Sequence, residues 1–129
     1  MKAAIRRIDR AAEVFTAEQC YINELSNSAE DPDVSIARAR VAPGVATRWH
    51  RLAATTERYV ILQGRGRVEV GDLEAQDVGP GDVVVIPPSC PQRIVNHGTD
   101  DLIFLAVCSP RFVQAVYEDI DDGRGAIAK

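Results

Sequence analysis

Residues 44–64 read GVATRWHRLAATTERYVILQG, and the fold turns on how this stretch is read. Gly44 and Gly64 bracket two short segments, Thr47–Leu52 and Glu57–Leu62, joined by a small-residue turn. On an extended chain residues two apart share a face. Arg48, His50 and Leu52 then point together with Trp49 opposite, and Glu57, Tyr59 and Ile61 share a second face. If His50 points inward, chemistry-bearing side chains gather on the inside of a β-structure.

The same rhythm runs outward in both directions. Short apolar segments recur at Cys20–Leu25, Val34–Ala42, Gly66–Val70, Asp82–Ile86, Gln92–Asn96 and Leu102–Cys108, separated by Gly, Pro, Asn and Asp. Strands at this spacing with such punctuation predict an all-β sandwich or barrel. Residues 1–19 read as an N-terminal segment with a short helix over Asp9–Phe15, 20–112 as one barrel domain, and 113–129 as a C-terminal segment and mobile tail. Ser109 as N-cap and Pro110 at the first helical position predict a helix with Phe112, Val116 and Ile120 on one face. Tyr59–Leu62, Val83–Ile86 and Leu102–Val107 are apolar without alternation, so both faces need cover. The N-terminal segment or a second copy of the chain would provide it, and a homodimer is the expectation.

The 129 residues suffice for one domain whose core needs no staples. Fifteen Lys and Arg stand against 19 Asp and Glu, with arginines interleaved among acids rather than clustered, which argues against a nucleic-acid partner. The charged opening Met1–Arg7 does not resemble a signal peptide, and no apolar run reaches the length of a membrane span. Cys20, Cys90 and Cys108 are odd in number and lack CxxC spacing, as expected of buried thiols in a reducing cytoplasm.

Two patterns carry a family resemblance. One reads Gly44-x5-His50-x-Leu52-x4-Glu57-x6-Gly64, the other Gly81-x5-Pro87-x-Ser89-x2-Gln92-x3-Asn96. They resemble the paired motifs of the cupin superfamily, G-x5-H-x-H-x4-E-x6-G and G-x5-P-x-G-x2-H-x3-N, at every interval. Gly44, His50, Glu57, Gly64, Gly81, Pro87 and Asn96 match in type; Leu52, Ser89 and Gln92 depart. The resemblance, from about Val34 to Phe112, implies a double-stranded β-helix, a jelly-roll barrel with an internal cavity. It also implies a divalent metal held by motif-one His and Glu and motif-two His. Here those positions hold His50 and Glu57, with Leu52 at the second His and Gln92 at the motif-two His.

Two functions stay open. A divalent ion (Mn, Fe, Ni or Zn) held by His50, Glu57 and Gln92 would leave positions for water and a small anionic metabolite, as in a metal-dependent isomerase, lyase, decarboxylase or dioxygenase. Alternatively the barrel is a metal-free binding or sensing protein in which His50 hydrogen-bonds Glu57 or Gln92. Arg48, Gln92 and Tyr59 are candidate substrate contacts, with Arg48 a fork for a carboxylate. Glu57 and Tyr59 are candidate catalytic groups. Arg38 and Arg40 are further candidates for the cavity, while His97, of opposite parity to Gln92, should point outward.

Overall fold

The structure, a computed structural model, describes residues 1–122. Its strands are β1 (Val14–Phe15), β2 (Tyr21–Ser26), β3 (Ser35–Val41), β4 (His50–Leu52), β5 (Thr56–Gln63), β6 (Gly66–Val70), β7 (Gln76–Val78), β8 (Val83–Ile86), β9 (Gln92–Val95), β10 (Leu102–Ser109) and β11 (Tyr117–Asp119). They form a six-stranded sheet in the order β1-β2-β3-β10-β5-β8 and a five-stranded sheet in the order β11-β4-β9-β6-β7. Every pairing is antiparallel. This is the double-stranded β-helix that the motif spacing implies.

Alternation explains the strands. In β3, Ser35, Ala37, Ala39 and Val41 face inward, while Arg38 and Arg40 turn outward to Glu13. The core between the sheets is built from Val41, Ile61, Ile86 and Leu102 on one side and Val68, Val70 and Ile94 on the other. Each fully buried Ile or Leu contributes roughly 1.5–3 kcal/mol by leaving water. Asn96, the last residue of motif two, is buried and donates its amide to Val41 O and Asp100 O, tying a loop to the core.

The chain ends differ from the expectations. The helix predicted after Pro110 does not form. Ser109 is the last residue of β10, Gln114–Val116 is a single 3-10 turn, and Tyr117–Asp119 is a strand on β4. The reason is tertiary. The three-residue β4 offers an open edge, and pairing Tyr117 with Leu52 and Asp119 with His50 satisfies backbone groups that a short helix would leave exposed. Near the N-terminus the expected helix shrinks to a 3-10 turn at Arg10–Ala12, and Val14–Phe15 pairs with β2. Strands outside 20–112 thus join both sheets. Asp119, at the start of the expected mobile tail, ends β11; the rest of that tail from residue 123 lies outside the described residues.

Leu102, Ile103 and Phe104 of β10 are buried in succession, between β3 and β5, whereas Tyr59–Leu62 and Val83–Ile86 resolve into faces. Val84 and Ile86 are buried while Val83 and Val85 are exposed, as is Leu62. The N-terminal segment does not cover them, because β1 and β8 lie at opposite edges of their sheet. Among the described residues, no helix is long and apolar enough to cross a membrane.

Gly64, at the end of motif one, has φ +81°, and a Cβ there would stand 2.5 Å from the backbone oxygen of Asp101. Gly44 shares that φ but faces open space. Gly64→Ala should therefore cost about 2 kcal/mol or more, and Gly44→Ala about 1 kcal/mol, as urea denaturation would measure.

Candidate functional site

β4, β5 and β9 bring the motif residues together. His50 lies at the start of β4 opposite Gln92 of β9, and Glu57 and Tyr59 project from the inner face of β5. All four are buried. The β4 backbone is held from the other motif, where Ser89 N–H donates to Leu52 O at 2.8 Å. Ser89 stands at φ 61° in place of the motif glycine, so this departure alters a turn and not the chemistry.

His50 Nδ1 lies 2.7 Å from Arg48 O. A carbonyl only accepts, so Nδ1 carries the hydrogen of this contact and Nε2 is the ring nitrogen left to face the other side. That nitrogen faces Glu18 Oε2 at 3.9 Å, and the ring stacks on Tyr117 with centroids 5.2 Å apart. Tyr59 donates its hydroxyl to Gln92 Oε1 at 2.5 Å. Burial pushes the Tyr59 phenol well above its ordinary range, with the nearby Glu57 adding to it, so it remains a donor.

Glu57 is the unusual group. It is only 8% exposed, Cys108 Sγ lies 3.8 Å from its Oε2, and its Oε1 has no hydrogen-bond partner. Burial lifts its carboxyl from 4.5 to about 7, and the Glu18 carboxylate adds to the rise. His50, Gln92 and Cys108 pull less strongly the other way. Both neighbouring thiols, Cys20 and Cys108, are pushed up by burial and stay protonated.

In front of Glu57 and Tyr59 lies a cavity of about 450 Å³. Glu18, Glu24, Phe104 and Tyr117 line it beside them; His50 and Gln92 stand behind this wall. Glu18 comes from the turn before β2 and Tyr117 from β11, both outside the motifs. No local signal marks them: Glu18 falls in the N-terminal segment ahead of the barrel and Tyr117 in the stretch whose spacing predicts a helix. Glu18 reaches the site because the turn closes on itself, through Gln19 N–H to Thr16 O and Thr16 Oγ1 to Cys20 O, and because its own carbonyl accepts from Arg48 N–H at 3.1 Å.

Arg48 does not join the cavity. Its Nε donates to Asp119 Oδ2 at 2.7 Å and a second nitrogen to Asp121 O. The two-residue parity fails because β4 begins only at His50, so the strand geometry does not extend back to Arg48. Arg38 and Arg40 lie on the outer face with Glu13, and Trp49 lies under the guanidinium of Arg93 at 4.8 Å. His97 is exposed, 3.3 Å from Asp77. The lining holds no Lys or Arg among the described residues, so the cation expected to receive an anionic ligand is not there.

The motif positions also bear on a metal. Leu52 supplies no donor, the carbonyl oxygen of Gln92 is engaged by Tyr59, and the Gln92 amide acts on Glu57 as a hydrogen-bond donor. Among the described residues, no three His, Cys, Asp or Glu side chains are grouped so as to hold an ion. The donors present do not fit the metal centre that the motifs imply.

Comparison with known proteins places this geometry in context. The sequence profile of the family described as "Cupin domain" matches residues 37–108. An uncharacterised protein of Methanocaldococcus jannaschii is 32% identical over 114 residues, 87% of this chain and 90% of that protein. A glucose-6-phosphate isomerase of Thermococcus kodakarensis is 29% identical over 133 residues, covering 82% of this chain and 69% of the isomerase. Among solved structures, Streptomyces PAC13 with uridine, a nucleoside dehydratase, superposes with a TM-score of 0.75 at 15% identity, over 94% of this chain and 93% of that one.

The raised Glu57 carboxyl has a thermodynamic consequence. The folded protein holds this proton more tightly than the unfolded chain, so its stabilising effect is full below about pH 4.5 and declines as pH rises to about 7. At 1.36 kcal/mol per unit, the decline is on the order of 3 kcal/mol. Denaturation of wild type and Glu57→Gln at several pH values should show this slope in wild type and lose it in the variant.

Proposed function

The chain belongs to the cupin family, and from that premise we propose that it takes a small molecule into its barrel cavity and moves a proton on that molecule through Glu57. The observation that carries this reading is the buried Glu57 side chain in the cavity wall, one of whose carboxyl oxygens has no hydrogen-bond partner within the protein. A carboxyl near neutrality is suited both to accept and to return a proton at physiological pH. Tyr59 and Gln92 fix its surroundings: the phenol orients the amide, and the amide faces the carboxyl. His50, anchored through Nδ1, stands with its Nε2 beside Glu18. Phe104 and Tyr117 restrict water in the cavity and offer flat apolar surface.

One relative fits this class of chemistry. A glucose-6-phosphate isomerase, 29% identical to this chain, carries out a reaction of the class that general acid–base groups serve. A metal-dependent reaction, the other reading of the motifs, requires donors that Leu52 and Gln92 do not provide. The cavity reading therefore stands without a metal at those positions.

The chain also pairs, in this reading, with a second copy. Leu62, Val83 and Val85 leave apolar surface on the outer face of the six-stranded sheet near its β8 edge, and two-fold association is the commonest way to cover such a face.

Three measurements follow. Protein purified without an affinity tag should contain no stoichiometric Mn, Fe, Ni or Zn, and calorimetry with Zn or Ni should show negligible affinity. Leu52→His with Gln92→His should raise that affinity by roughly a hundredfold or more, since two imidazoles then join His50 and Glu57; stoichiometric metal in wild type would overturn the metal-free reading. Light scattering should return twice the 14.1 kDa chain mass, and Val85→Glu should return the monomer.

A further inference from the structure

The cavity is lined by carboxylates without a balancing cation. Glu18, Glu24 and Glu57 all contribute to its wall, and no Lys or Arg does among the described residues. The nearby arginines are directed elsewhere: Arg38 and Arg40 to Glu13 on the outer face, Arg48 to Asp119. His50 stands behind the wall with Nε2 3.9 Å from Glu18, so protonated it would balance one carboxylate and no more. Glu57 is the decisive member. It is more than nine-tenths buried, it lines the cavity, and its Oε1 accepts no hydrogen bond from the protein. A buried acceptor left without a partner is costly unless something else supplies the donor.

We propose that the molecule bound in this cavity carries an organic ammonium group, which pairs with the Glu57 carboxyl at the cavity wall and is flanked by Glu18. This assignment rests on the small-molecule reading of the cavity and names the charge of its ligand. Three features select for it. An ammonium supplies several N–H donors to a site that presents carboxylate acceptors. Tyr59, Phe104 and Tyr117 offer aromatic surface for its body, and their faces attract a cation. A carboxylate or phosphate would instead meet like charge in a partly enclosed space, where repulsion is weakly screened. The cavity volume of about 450 Å³ suits a molecule of one ring with a short amine arm.

Three probes of nearly one shape test the assignment by calorimetry on the full chain: 2-phenylethylamine, 2-phenylethanol and phenylacetate. The amine should bind roughly tenfold or more tightly than the alcohol, and phenylacetate should not bind measurably. Glu57→Gln should weaken the amine by about tenfold while leaving the alcohol within about twofold. Glu18→Gln, a change in a surface turn, should weaken the amine in the same direction and gives the answer if the buried variant fails to fold. Zinc chloride is the control for an inorganic cation, and displacement of the amine by zinc at equal concentration would overturn the assignment. Equal binding of alcohol and amine, or preference for the acid, would overturn the ammonium while leaving a small-molecule cavity standing. Failure of all three probes at millimolar concentration would overturn the ammonium and count against the small-molecule reading too.

Discussion

A carboxyl group that is out of water and short of partners constrains the rest of this site. Glu57 sits on the inner face of a central strand, where the barrel removes its hydration and gives back little: a thiol at 3.8 Å, the amide of Gln92 and the field of His50. Ionisation is opposed by burial and by the Glu18 carboxylate. The group therefore stays poised between its two protonation states near neutral pH, and its side chain lines the cavity. A cupin that holds a metal would quench such a carboxylate with the ion. Here Leu52 and Gln92 take the positions of two imidazoles, and neither brings an imidazole to that carboxyl.

The fold delivers this arrangement through contacts distant in sequence. Motif one carries His50 and Glu57 on neighbouring elements, and motif two returns to lay Gln92 opposite His50 and to hold Leu52 through Ser89. The chain ends complete the wall. The turn before β2 brings Glu18 to the His50 ring, and β11 closes the edge of β4 and stacks Tyr117 on the same ring. Removal of either end would open the cavity on one side and strip a strand edge of its hydrogen bonds.

Most of the barrel was legible because its information is local and periodic. Punctuated apolar runs marked eight of the strands, and the interval from Gly44 to Gly64 and from Gly81 to Asn96 named the architecture. Side-chain parity correctly set Tyr59 with Glu57, because both lie inside the long, regular β5. It misplaced Arg48, because the strand starts two residues later and the chain is irregular before it. The segment after Pro110 has helical spacing at Phe112, Val116 and Ile120, yet the open edge of β4 outweighs that weak preference. Glu18 and Tyr117 were invisible for a different reason: nothing near them in sequence records that they meet His50. Their role is written in tertiary pairing alone, and with it the sign of the cavity's charge.

The central claim is that Glu57 gains and loses its proton near neutral pH, with no metal at the motif positions to hold it ionised. Carbon-detected NMR of protein labelled at the glutamate carboxyl carbons, titrated from pH 4 to pH 9 and assigned with Glu57→Gln, reads that proton directly. The account predicts a Glu57 midpoint near 7, unchanged by a strong chelator. A midpoint at the ordinary 4.5, or a carboxylate that stays ionised across the range until chelator is added, would contradict it.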